Sequence, residues 1–146
     1  MTGYVLSMIG LLVILIGLVH WNNAMGKKFR GIFIDDIRNP SDVGWVHYDP
    51  DIQWTIVRTY SDFKDEIRTN GIPKYISFDH DLADYDEDGI EYTGLSCAKY
   101  LVDIAQYDNK ELPEYIYYHT QNPIGKDNIK GYIESYQAFV RREHED

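Results

Sequence analysis

The stretch FRGIFIDDIRNP, residues 29–40, decides how the rest of the chain is read. Phe29 to Ile34 is an aromatic and β-branched run of strand length, and it ends abruptly in Asp35-Asp36-Ile37-Arg38-Asn39-Pro40. Working outward, the same punctuation recurs. After a loop from Ser41 to Trp54, Thr55 to Arg58 predicts a second strand; a helix then starts with Ser61 as N-cap, has Asp62, Asp65 and Glu66 near its positive end, and stops at Asn70-Gly71. Tyr75 to Phe78 predicts a third strand, ending in Asp79-His80-Asp81. An acidic loop, Leu82 to Tyr92, leads to a helix over Thr93 to Tyr107, where Leu95, Ala98, Leu101, Ile104 and Ala105 share a face. Tyr115 to Tyr118 is the fourth strand, followed by His119-Thr120-Gln121-Asn122-Pro123 and a helix from Lys126 to Arg142 with Ile129, Ile133, Tyr136 and Val140 at helical spacing. Strands alternating with amphipathic helices predict an α/β fold, a small open three-layer sheet of about four parallel strands.

The 146 residues divide into two unequal parts: 1–26, a hydrophobic segment, and 27–146, the folded domain, about 120 residues and typical of a small domain. No Asp, Glu, Lys or Arg occurs from Met1 to Met25, so the net charge of −10 belongs entirely to the second part. The apolar run at 4–21 approaches the ~20 residues that span a bilayer, and Lys27, Lys28 and Arg30 follow it. By the positive-inside rule these basic residues would keep the downstream domain cytoplasmic. Three expectations stand together for this N-terminal hydrophobic helix: an anchor that holds the domain to the inner face of a membrane through 4–21, a helix packed on the domain, or a start artefact in a soluble cytoplasmic domain whose translation begins at Met25. The acidic balance disfavours broad duplex nucleic-acid binding but admits a small phosphate-bearing ligand. A single cysteine, Cys97, excludes an internal disulfide.

Three of the four predicted strands end in chemically active groups: Asp35-Asp36, Asp79-His80-Asp81 and His119-Thr120. In an open parallel sheet the carboxyl ends of the strands line the ligand crevice, so these clusters should converge. Carboxylates so close need a counter-charge, from Mg²⁺ or another divalent cation, from Arg38, or from a proton. A cation would take Asp35, Asp36, Asp79 and Asp81 as ligands. His80 and His119 could exchange protons in acid–base chemistry, with Asp79 and Asp36 beside them. Arg38, Thr120 and Asn122 offer donors to a substrate, and Gly125 would let backbone N–H groups approach an anion.

The segments IFIDDIRNP (32–40), VRTYSDF (57–63), ISFDHDL (76–82), YTGLSCAKYLVD (92–103) and HTQNPIGKDNI (119–129) resemble the cyclic-phosphate-processing receiver domain, a receiver-like family of phages and bacteria. The resemblance covers nearly everything after Met25. It implies a receiver-like (flavodoxin-like) fold and hydrolysis of cyclic phosphates, such as cyclic nucleotides or RNA 2′,3′-cyclic ends. It also implies that Asp35, Asp36, Asp79, His80, Asp81, His119 and Asn122 carry the site. The acidic pair and Asp79 stand where phospho-accepting receivers hold their metal ligands and acceptor aspartate, but no fifth strand with the lysine of such receivers follows strand four.

Other readings compete. Asp79-His80-Asp81-Leu82-Ala83 is similar to the nucleophile motif of haloacid-dehalogenase-like phosphatases, although its last residue departs from that pattern. Asp84-x-Asp86-x-Asp88-Gly89 matches the opening of an EF-hand loop but has Leu95 where the bidentate Glu belongs. A module that binds a nucleotide or a divalent cation without turnover is the non-enzymatic alternative. Trp45, Tyr48 and Trp54 border the first loop, as base-stacking or packing groups.

Overall fold

The computed structural model describes residues 28–145. The apolar segment at 4–21 lies outside them, and among the described residues no helix is long and apolar enough to cross a membrane. The fold is α/β. Its four-stranded parallel sheet is formed by β1 (Phe29–Ile34), β2 (Ile52–Val57), β3 (Tyr75–Phe78) and β6 (Tyr115–Tyr118), in the order β2-β1-β3-β6. A separate two-stranded hairpin, β4 (Asp84–Tyr85) with β5 (Glu91–Tyr92), lies inside the acidic loop. The helices are α1 (Tyr60–Asn70), α2 (Gly94–Tyr107) and α3 (Pro123–Glu143).

Strand alternation gives the sheet two different faces. On one, Ile32, Ile34, Val57, Ile76 and Phe78 join Phe63 and Ile67 of α1, Cys97, Ala98 and Leu101 of α2, and Ile129 and Ile133 of α3 in a single buried core. All three helices therefore cover the same face. The opposite face carries Phe33, Trp54, Ser77 and Tyr117, and Tyr48 from the β1–β2 connection packs edge-on against Phe33, Trp54 and Tyr117. The predicted third layer is thus a loop, not a helix. Pro40, Gly44 and Pro50 interrupt that connection, which forms no helix beyond a short 3₁₀ turn at Pro40–Asp42. Gly31 fits the same face: a Cβ there would lie 2.7 Å from Ile52 Cγ2 and 2.8 Å from the Trp54 ring.

Several boundaries differ from the sequence expectation for identifiable reasons. β2 begins at Ile52 because it pairs in register with β1 from Phe29 onward. Thr59, not Ser61, caps α1, its Oγ1 accepting from Asp62 N at 3.0 Å. Helix α3 starts at Pro123, which occupies the first turn, where its missing N–H costs nothing. The EF-hand-like acids shape the hairpin region: Asp86 Oδ1 accepts from Asp88 N and Ile90 N, while Asp84 Oδ2 accepts from Tyr60 N at the start of α1.

Two glycines make opposite predictions. A Cβ on Gly94, at the start of α2, would lie 1.9 Å from the Asp79 carbonyl oxygen, whereas one on Gly131 in α3 meets nothing within 4 Å. In urea denaturation Gly94→Ala should cost about 2–3 kcal/mol by overpacking. Gly131→Ala should stabilise by about 0.5–1 kcal/mol through helix propensity.

Candidate active site at the carboxyl edge of the sheet

The last paired row of the central strands is Ile34, Phe78 and Tyr118, so Asp35, Asp79 and His119 form the next row, aligned across the carboxyl edge of the sheet. Their backbones stay in the ladder: Asp79 N donates to Ile34 O, and His119 N to Phe78 O. Alternation then turns all three side chains toward the face that carries Phe33 and Ser77. One ligand-type atom from each lies within 4.8 Å of the other two. The predicted convergence of the three strand ends is present.

What sits among these groups is Arg38. Its Nε donates to Asp35 Oδ2 at 2.7 Å and its Nη2 to Asp79 Oδ2 at 2.8 Å. Asp35 is fully buried, and its Oδ1 also accepts from Ile37 N at 2.9 Å and Arg38 N at 2.5 Å. Burial pushes the Asp35 carboxyl up, but the backbone bonds from Arg38 and Ile37, the Arg38 charge and the bond from His119 outweigh it and hold it below the ordinary range. Burial also works against the Arg38 charge, and the carboxylates of Asp79 and Asp35 overcome it and raise its pKa. Arg58, at the end of β2, buttresses the loop by donating Nη1 to the carbonyls of Asp35 and Arg38 and Nη2 to Asn39 Oδ1.

His119 is interior, contrary to the role expected of it at the crevice. It is fully buried and stacks on Phe33 with centroids 4.2 Å apart. Ionised Asp35 only accepts, so His119 Nε2 carries the proton and donates to Asp35 Oδ2 at 3.1 Å. Nδ1 then accepts from Ser77 Oγ at 2.7 Å, and Ser77 accepts from the Tyr48 hydroxyl at 2.8 Å. Burial, opposed by the Ser77 bond, pushes the Tyr48 phenol up to about 12, which keeps it a donor. Burial likewise lowers the His119 pKa, against the pull of Asp35 and Asp79. Both ring nitrogens are committed inside the protein.

The accessible part of the site is a cleft of about 430 Å³ lined by Asp36, Ile37, Arg38, Asp79, Asp81, Thr120, Gln121 and Asn122. At its rim His80 Nδ1 pairs with Asp81 Oδ1 at 2.9 Å, and Asn122 Nδ2 donates to the same carboxylate at 3.3 and 3.2 Å. The His80 bond leads in holding Asp81 below the ordinary range, with Asn122 and Arg38 adding to it against partial burial. Gly125 is committed elsewhere than expected: its N–H donates to Asn122 Oδ1 at 3.0 Å as the helix cap. Its missing Cβ leaves room for His80, since a Cβ would lie 2.2 Å from His80 Cγ. A larger hollow of about 530 Å³, lined by Leu112, Pro113, Tyr136 and Val140 among others, contains none of the strand-end residues.

The expected cation set of Asp35, Asp36, Asp79 and Asp81 does not fit this arrangement. Every lone pair of Asp35 already accepts a hydrogen bond, His119 directs a proton at it, and a guanidinium bridges it to Asp79. Asp36 and Asp81 belong to the cleft wall rather than to the 4.8 Å cluster. Sequence reasoning missed Arg58 and Ser77, and it names Tyr48 and Trp45 only as base-stacking or packing groups of the first loop, without their bonds to Ser77 and to the His119 carbonyl. Arg58 carries a usable signal, because it closes the predicted second strand, Thr55 to Arg58, with a charged side chain at the same sheet edge.

Because His119 is held neutral, the unfolded chain takes up a proton there that the native chain does not as pH falls through about 6.5. The stability this residue contributes is present above that value and is lost below it. Urea denaturation at pH 7.5 and 5.5 should show the wild-type chain losing stability across this window and His119→Gln losing less. Equal losses would place the titration elsewhere.

A family model described as the cyclic-phosphate processing receiver domain matches residues 30–135, which span β1 to most of α3 and contain every group of the cleft. No curated protein and no solved structure matches the chain. The match covers well over half of the sequence and agrees with the receiver-like order of the sheet, so the chain belongs to the cyclic-phosphate processing receiver domain family.

Proposed function

We propose that this protein is a phosphoesterase that opens cyclic phosphates, such as cyclic nucleotides or RNA 2′,3′-cyclic ends, at the cleft beside Arg38. The observation that carries the reading is the charge of that cleft: Asp36, Asp79 and Asp81 face one guanidinium that is already countered. A phosphomonoester brings about −1.5 to −2 charge and would be repelled, whereas a cyclic diester brings a single negative charge. Ring opening converts the second kind of ligand into the first, so the same field expels product.

Arg38 supports the role of phosphate ligand because, among the described residues, its Nη1 has no partner while Nε and Nη2 are anchored. Thr120 contributes a hydroxyl at the wall, and its Oγ1 also accepts from Asn122 N at 3.2 Å. His80 is the base in this reading: Asp81 holds Nδ1–H, which leaves Nε2 to take a proton from water. Water oxygen bonds to phosphorus, the ribose oxygen departs with the ring P–O bond, and solvent at the open cleft protonates it. Arg38 stabilises the charge that grows on the phosphoryl oxygens. In this reading the donor to the phosphoryl oxygens is Arg38 Nη1 rather than a cation. A second reading, binding without turnover, is favoured by the burial of His119, which removes the second imidazole as proton donor to the leaving oxygen.

The test incubates the protein with nucleoside 2′,3′- and 3′,5′-cyclic phosphates and cyclic dinucleotides, with EDTA or with Mg²⁺, and separates products chromatographically. Ring opening that survives EDTA and falls about 10²–10⁴-fold in His80→Ala is expected. Calorimetric binding with unchanged ligand would establish the binding module instead, and activity only with Mg²⁺ would overturn the role given to Arg38.

A further inference from the structure

The β1–β2 connection places a large exposed aromatic group beside the cleft. Trp45 is 49% exposed, and its Nε1 donates to the carbonyl of His119 at 2.9 Å. That carbonyl belongs to the residue before Thr120, a member of the cleft wall. The Arg38 guanidinium lies over the Trp45 ring with Cζ 5.7 Å from the centroid. Ile37, in the same wall, is 77% exposed. Solvent exposure of a tryptophan costs hydrophobic free energy, and here the indole is nevertheless fixed in place by a hydrogen bond and a cation–π contact.

We infer that Trp45 is a stacking platform for a nucleobase, so that the site takes a nucleoside cyclic phosphate rather than a base-free one. The inference rests on the phosphate-binding role proposed for Arg38. It adds a specificity element outside the reacting groups. The indole is half exposed beside the guanidinium, so a base stacked on its free surface and a phosphate held by Arg38 would be neighbours, as they are in such a ligand. Stacking uses the π-face common to all bases, so the platform selects for the presence of a base more than for its identity. Trp54 and Tyr117 pack against Tyr48 within the covered face, whereas Trp45 is held beside the cleft by its bond to the His119 carbonyl.

The experiment compares kcat/KM for adenosine 2′,3′-cyclic phosphate and for glycerol 1,2-cyclic phosphate in the wild-type chain, Trp45→Ala and Trp45→Phe. The wild-type chain should prefer the nucleoside ligand by about 10–100-fold, with the difference in KM. Trp45→Ala should abolish most of that preference, and Trp45→Phe should restore part of it. Equal handling of both ligands by the wild-type chain, or a preference unchanged in Trp45→Ala, overturns the platform and leaves the phosphoesterase reading intact. Failure of the wild-type chain to bind or open either ligand overturns both. Should Trp45→Ala not fold, the wild-type preference and the Trp45→Phe variant still decide.

Discussion

The guanidinium of Arg38, held between the buried carboxylates of Asp35 and Asp79, is the interaction on which the site depends. Parallel strands carry both acids to the same sheet edge, and two carboxylates taken out of water there require a counter-charge. Here, the positive charge comes from three residues after the first acid, on a turn whose backbone N–H groups also bind that acid. Charge, turn and strand end are therefore one unit. Arg58 fastens that unit to β2 through the two carbonyls it bridges.

The same row explains why His119 is structural. Once Asp35 is saturated by Arg38 and the turn, its remaining acceptor site orients an imidazole that in turn orders Ser77 and Tyr48. A polar chain thus runs from the site into the aromatic face that the β1–β2 loop covers, and every member has a partner. Trp45 closes the loop onto the His119 carbonyl, which couples the position of the exposed indole to the buried row. Chemistry that needs solvent contact is left to the cleft wall and to the His80–Asp81 pair.

The four strands were legible because each is a short apolar run closed by turn residues, and the convergence of Asp35, Asp79 and His119 followed from parallel topology alone. Layering was less legible: the stretch from Ser41 to Trp54 reads as a loop, but nothing in local pattern says that Tyr48 folds back to cover the second face of the sheet. The helix starts were displaced because capping chemistry has several adjacent candidates, as with Thr59 beside Ser61, and Pro123 reads as a breaker although it occupies the first turn of α3. The depth of His119 was not legible: Tyr115 and Tyr117, which alternate onto the same face, are exposed and half-buried, and the ring is interior only because it stacks on Phe33 and bonds Ser77 beneath the Tyr48 loop. Whether Arg38 or a cation would neutralise the acids was a matter of three-dimensional reach, which sequence spacing does not fix.

The stability of Arg38→Met, measured by urea denaturation with and without millimolar Mg²⁺, tests the account most directly. Removing the charge leaves Asp35 and Asp79 uncompensated and should cost about 3–5 kcal/mol. Mg²⁺ should recover part of that loss in the variant, by binding where the guanidinium was, and should leave the wild-type chain unchanged. A variant as stable as the wild-type chain, or a wild-type chain stabilised by Mg²⁺ as much as the variant, would contradict it.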